Sequence, residues 1–242
     1  MRILFLIPAR GGSKGIPNKN IINLLSKPLI GYTIDECLQL SKLYDCEICV
    51  STDSNDIKKV AENYGLNVPF LRPEHLSNDT ASSESVILHA LDWYQNNGIN
   101  FDFVVLLQPT SPLRKYNHIV DAINLYLENQ KNSIDMMVSV KISKANPYFN
   151  LFEDNKNGML TKSIKSSYIR RQDCPITYEY NGAIYVININ SLREKGILNF
   201  DKIKKFVMDE ISSLDIDDPN DLIFCETLMR ILEKKENSFE NK

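Results

Sequence analysis

After the apolar run Ile3 to Ile7, the chain reads Pro8-Ala9-Arg10-Gly11-Gly12-Ser13-Lys14-Gly15-Ile16-Pro17-Asn18-Lys19-Asn20. Three glycines let backbone N–H groups approach an anion, and Arg10, Lys14 and Lys19 supply three nearby cations, a combination suited to a polyphosphate. The spacing fits neither a G-x-x-x-x-G-K-[ST] phosphate loop nor a G-x-G-x-x-G dinucleotide fingerprint. Far along the chain lies Leu214-Asp215-Ile216-Asp217. If extended, it turns Asp215 and Asp217 to one side and Leu214 and Ile216 to the other, so both carboxylates can face one cation. Magnesium takes one or two protein carboxylates plus waters and phosphates, so the pair suits Mg²⁺ carried by a nucleotide triphosphate. The plain alternative is an acidic lead-in to a helix, because Asp218-Pro219 reads as an N-cap and a first helical residue. Gln108 ends the run Val104 to Leu107, where an amide can bond a base or sugar. Arg170-Arg171-Gln172 offers guanidinium forks for a carboxylate, although an isolated Arg-Arg pair is ordinarily surface charge.

The elements that must position these residues alternate in type. Strands are expected near 3–7, 46–51, 103–108 and 135–141. Helices are expected over 29–43, 56–64, 83–97 and 118–130, with another starting at Pro219 and carrying Leu222, Cys225, Met229 and Leu232 on one stripe. This order predicts an α/β fold: a mostly parallel sheet with helices on both faces and ligands at the carboxyl ends of the strands. Residues 141–180 break the rhythm with Pro147, Pro175 and aromatic clusters and are expected to project from the sheet. Asn181-Gly182-Ala183-Ile184-Tyr185 then re-enters a strand, where Gly182 allows close approach and Tyr185 offers an aromatic wall, or simple packing. His75, His89 and His118 lack metal-ligand spacing and read as structural, and the chain is expected to fray after Lys234.

Several of these blocks carry a resemblance. The loop from Ile7 to Asn20 resembles the signature of the cytidylyltransferases that activate sialic acids and related nonulosonates. Ser77 to Ser83, Leu106 to Arg114, Asn181 to Tyr185 and Asp215 to Asp217 resemble further blocks of that family, in its order, over almost the whole chain. The resemblance implies a Rossmann-like nucleotidyltransferase fold and transfer of CMP from CTP to the anomeric hydroxyl of N-acetylneuraminate or a relative. It implies catalytic roles for Arg10, Lys14, Lys19 and Asp217, and Mg²⁺ on Asp215 and Asp217. It places Gly11, Gly12, Ser13 and Asn20 against substrate, and Arg72, Asp79 and Ser82 against the cytosine nucleotide. Gln108, Asn181 and Tyr185 fall in substrate-binding blocks, and Arg171 matches an arginine that takes the sugar carboxylate across a homodimer, with 141–180 as the dimerisation arm. The 3-deoxy-manno-octulosonate enzymes, a later alternative with the same chemistry, use an arginine-leucine-proline-glycine-lysine loop, from which this one departs. Legionaminate and pseudaminate enzymes share the loop and stay open as alternatives. The reading from another class is a nucleotide-binding protein without catalysis, against which all five charged site residues are present.

Composition sets the bounds. With 242 residues and 43% hydrophobic content, one domain with one sizeable core is expected. A net charge of -3 and a pI near 5.7 give no broad basic surface for nucleic acid. The longest apolar runs are strand-sized and no signal peptide is evident, which predicts a cytoplasmic protein without membrane contact. Five cysteines, an odd number, predict no disulfide framework, and Cys46 and Cys49 lack a second pair to complete a zinc site.

Overall fold

Ile3 to Ile7 are fully buried and form the middle of β1 (Arg2–Pro8) in the computed structural model, which describes residues 1–240. A small hairpin, β2 (Asn23–Leu24) and β3 (Lys27–Pro28), leads into α1 (Leu29–Leu40), β4 (Asp45–Ser51), α2 (Asn55–Asn63) and α3 (Ser83–Asn96). These are followed by β5 (Phe103–Leu107), α4 (Tyr116–Glu128) and β6 (Met136–Ile142). A second hairpin, β7 (Phe152–Asp154) and β8 (Leu160–Lys162), precedes β9 (Tyr178–Asn188), α5 (Ile189–Lys195), β10 (Ile203–Val207) and α6 (Pro219–Glu240).

Among the described residues, one six-stranded sheet runs β10-β6-β9-β5-β1-β4. β1 pairs parallel with β4 and β5, and β10 pairs parallel with β6. Alternation along each strand feeds two apolar layers. Ile3, Phe5 and Ile7 share one with Ile34 of α1 and Ile123 of α4, while Leu4 and Leu6 share the other with Ile87 of α3 and Leu192 of α5. Burial on both faces explains why β1 and β5 read as unbroken apolar runs. Cys46 and Cys49 of β4 pack into opposite layers, and all five cysteines are free.

The mostly parallel α/β sheet with helices on both faces is as expected, with one difference. β9 runs antiparallel to both β5 and β6. The chain returns from the 143–177 segment without a crossover helix, and a return of that kind reverses strand direction. α5 and β10 were not anticipated, because each is short and β10 is largely exposed. α1 stops at Leu40 rather than Leu43, where Leu43 and Tyr44 close a turn on Leu40. α6 stays helical through Glu240 instead of fraying after Lys234, and residues 241 and 242 lie outside the described residues.

One buried ion pair joins the strand ends. The Arg114 side chain is fully buried, and its Nε and Nη2 donate to Glu36 Oε2 at 3.0 and 2.8 Å. Nη1 donates to the carbonyls of Gln108 (3.0 Å) and Ala183 (2.8 Å), and Nη2 to Thr33 Oγ1 (2.7 Å). Those carbonyls lie just beyond the last registered pair, Leu107 with Ile184, so Arg114 finishes the ladder where β5 and β9 diverge. Burial pushes the Glu36 carboxyl up to about 7 while Arg114 pulls it down. Arg114→Ala leaves a buried carboxylate and two carbonyls unpaired, and is expected to cost about 3–5 kcal/mol in urea denaturation; a loss below about 1 kcal/mol would show that the pair is not a brace.

Candidate active site

The glycine-rich loop is held on both flanks before any ligand is considered. Ala9 N donates to Ser51 O (2.9 Å), Gly11 N to Asp53 Oδ1 (2.9 Å), and the buried Asn20 donates through Nδ2 to Arg10 O (2.9 Å). Asn18 sits in the left-handed region at φ 53° and turns the chain toward Lys19. Gly11 therefore differs from its expected role, since Asp53 already takes its N–H. Gly12 is open, and Ser13 lines the cleft.

The cleft has two adjoining lobes that share Pro8, Arg10 and Gln108. The first, about 250 Å³, is walled by Arg72, Asp79, Ser82, Val86 and Leu106. Arg72 is buried there, with Nε and Nη2 lacking any protein acceptor, and burial draws its pKa down. Two unsatisfied guanidinium donors in a pocket await a ligand acceptor. Ser82 caps α3 by accepting from Ser85 N (3.1 Å), so it has a structural duty besides lining the lobe. Asp79 pairs with Arg10 Nη1 (2.9 Å) and Lys14 Nζ (2.7 Å).

The second lobe, about 440 Å³, brings Lys14, Lys19 and Asn20 to Asp215 and Asp217. Leu214 and Ile216 turn away into a small apolar cluster with Ile16, Leu24, Leu29 and Cys225, as the alternation predicts. Lys19 Nζ donates to Ile216 O (2.8 Å) and Asp217 Oδ1 (3.1 Å), and Ile216 N donates to Thr110 O (2.9 Å). The Asp215 carboxyl is pushed up by burial, with the Asp217 charge adding and a Thr110 hydrogen bond opposing. Its Oδ1 is buried without a partner, which is what a carboxylate oxygen reserved for a cation looks like. Asp218 and Asp221 are occupied differently. Asp218 Oδ1 accepts from Asn220 N (2.7 Å) and Asp221 N (3.0 Å), and Asp221 Oδ2 accepts from Asp217 N and Asp218 N (both 3.0 Å), so both cap α6. Among the described residues no cluster of three or more His, Cys, Asp or Glu is disposed to hold a metal, so Asp215 and Asp217 would need phosphate oxygens or waters to complete a Mg²⁺ shell.

Besides Gly11 and Gly12, three expected site residues do not line either lobe. Asn181 is buried, with Oδ1 accepting from Ser139 Oγ (2.5 Å) and Ala183 N (3.2 Å) and Nδ2 donating to Ser213 Oγ (2.9 Å). It therefore ties the β6–β9 bulge to the segment before Asp215. Its neighbour Gly182 lines the second lobe at φ 76°, a conformation that favours glycine. Tyr185 is half-buried beside Tyr180 (ring centroids 6.2 Å apart), and burial, Tyr180 and then Asp215 push its phenol up. Arg171 is exposed and reaches Ser143 O at 3.4 Å. The sequence reading missed Arg114, at the end of the Leu106 to Arg114 block, and Asp53, which follows β4 as Gln108 follows β5. The strand-end rule that singled out Gln108 also points to Asp53.

A mostly parallel α/β sheet with cations and an amide beyond its strand ends, and paired carboxylates ahead of its last helix, is an arrangement suited to a nucleotidyltransferase. A cytidylyltransferase family model matches residues 4–240, and the chain belongs to that family. It is 37% identical over 233 residues to the CMP-N,N'-diacetyllegionaminic acid synthase of Legionella pneumophila, covering 96% of this chain and 97% of that protein. It is also 37% identical to the N-acylneuraminate cytidylyltransferase of Escherichia coli, but spans only 52% of that longer protein. The pseudaminic acid cytidylyltransferase of Campylobacter jejuni is 34% identical, with 97% of its length covered. Among solved structures, a CMP:2-keto-3-deoxy-manno-octonic acid synthetase complexed with CTP shares the fold at a TM-score of 0.68 and 17% identity, covering 95% of this chain and 99% of that one.

Gly15 is where the two halves of the second lobe meet, since a Cβ there would lie 2.2 Å from Asp217 O. Because the obstacle is backbone, relief requires the loop and the acidic segment to separate. Gly15→Ala is expected to lower kcat/KM about a hundredfold in a pyrophosphate-release assay, the order of loss that follows a 1 Å misplacement; a loss under about threefold would show that the close approach is dispensable.

Proposed function

We propose that this protein transfers CMP from CTP to the anomeric hydroxyl of a nonulosonic acid, giving the CMP-sugar and pyrophosphate. The observation that carries the reading is the two-lobed cleft joined at Arg10 and Gln108, with unsatisfied Arg72 donors in one lobe and cations facing paired aspartates in the other. CTP lies across both, the base in the Arg72 lobe and the triphosphate along the loop. The sugar hydroxyl attacks the α-phosphorus in line, the bond to the bridging oxygen breaks, and pyrophosphate leaves. Arg10 and Lys14 neutralise charge that grows on the departing oxygens. Lys19 holds the 216–217 segment in place, and Asp217, the more exposed carboxylate, accepts the hydroxyl proton. A Mg²⁺ held by Asp215 and Asp217 would polarise phosphate oxygens and orient the triphosphate.

Similarity to legionaminate, neuraminate and pseudaminate enzymes supports a nonulosonate acceptor. N-acetylneuraminate remains the leading acceptor, and the full-length match to the legionaminate enzyme supports that sugar as the alternative. The sugar carboxylate would be met from a second copy of the chain. Phe152, Met159, Leu160, Ile169 and Ile176 stand exposed along the 141–180 arm, an apolar surface suited to a partner, and Arg171 lies among them outside this chain's own lobes.

Pyrophosphate release from CTP and Mg²⁺ is expected with at least one of N-acetylneuraminate, legionaminate and pseudaminate, to fall away with EDTA, and to need more Mg²⁺ in Asp215→Asn. Silence with all three acceptors from protein that binds CTP would sink the reading. Sedimentation equilibrium should give a dimer, and Arg171→Ala should raise KM for the sugar about tenfold or more, the loss of one charge-assisted contact, while KM for CTP holds. A monomer, or an equal rise in both constants, would remove the arm from the sugar site.

A further inference from the structure

Arg10 and Lys14, the cations assigned to phosphate, are already paired with an anion of the chain itself. Arg10 Nη1 meets Asp79 Oδ1 and Lys14 Nζ meets Asp79 Oδ2, one carboxylate oxygen for each cation. Asp79 lines the first lobe, Lys14 the second and Arg10 both, so this triad spans the junction of the cleft. The two contacts hold the Asp79 carboxyl below its usual range.

The turn that carries Asp79 does not need that carboxylate. Thr80 N and Oγ1 donate to Asn78 Oδ1 (3.0 and 2.8 Å), Ala81 N donates to Asn78 O, and Ser82 caps the helix that follows. The Asp79 side chain is about half exposed, at 47%. Its pairing is thus made with the phosphate loop, not with its own surroundings. A triphosphate or pyrophosphate presents several negative charges to the same cations, and a carboxylate among them is a like charge that must give way.

Resting on the CMP-transfer reading, we propose that Asp79 is a positioning residue, a built-in counter-anion that orients Arg10 and Lys14 across the cleft, yields them to the triphosphate, and competes for them again as pyrophosphate departs. A residue that merely contacted the nucleotide would lower affinity when removed. Asp79 acts with the opposite sign.

Calorimetric titration of inorganic pyrophosphate and of inorganic triphosphate into the full chain distinguishes the two. Asp79→Asn, which keeps shape and loses charge, is expected to bind both about five- to tenfold more tightly than wild type, the scale of two exposed ion pairs released. Steady-state turnover should show the matching split: lower KM for CTP, stronger product inhibition by pyrophosphate, and lower kcat. Asp79→Glu, which keeps the charge, should show little of that gain in anion affinity, and Lys14→Ala should abolish most of it when combined with Asp79→Asn. Unchanged or weaker anion binding by Asp79→Asn overturns the proposal while leaving the CMP-transfer reading intact. Failure of wild type and variant alike to bind either anion also overturns the proposal, while the CMP-transfer reading stands or falls on pyrophosphate release from CTP.

Discussion

The cleft depends on a backbone contact between two segments two hundred residues apart in the chain. At Gly15 the loop comes so close to Asp217 that no side chain fits, and beside that contact Ile16 and Ile216 pack in one small apolar cluster. Hydrophobic burial pulls the two segments together, and the missing Cβ lets their backbones meet. The polar geometry follows from that closure. Lys19 reaches Ile216 O only because the 216 segment lies against the loop, and Asp215 and Asp217 face the cations because Leu214 and Ile216 face the core. Without this seam the cations and carboxylates would sit on separate surfaces.

The sheet supplies the other half of the geometry. β1, β4 and β5 run parallel, so Pro8, Asp53 and Gln108 emerge at one edge, where the strands give way to loops. The antiparallel β9 passes the same edge in mid-strand and delivers Gly182 instead of a strand end. Arg114 makes the two kinds of strand compatible by donating to the carbonyls that diverge between them. Asn181 performs the corresponding task on the other side, where β9 bulges against β6.

Most of the architecture was legible because both faces of the sheet are buried, and an unbroken apolar run such as Val104 to Leu107 has few other readings. The capping of α6 by Asp218 was legible for a similarly local reason: a short polar side chain before a helix has backbone donors within reach. What failed was non-local. Nothing in Tyr178 to Asn188 states which way the strand will run, since direction is set by the absence of a crossover helix. Asn181 was expected against substrate because its block resembles one of the family's, and only the fold shows Ser139 and Ser213 using its amide. Gly11 was read as a free donor because Asp53, which satisfies it, lies on another strand. Pairing between distant residues is the part of a site that spacing along a chain does not encode.

The placement of the thiols also has a chemical consequence. Cys46 and Cys49 belong to one strand but face opposite layers, so joining them would require β4 to leave the sheet. Burial pushes Cys46 up to about 11 and both Cys49 and Cys225 up to about 12, which leaves almost none of these thiols as the thiolate that oxidants attack. The β4 edge of the sheet, next to the strand that leads into the glycine-rich loop, thereby carries thiols that geometry and burial together keep unreactive.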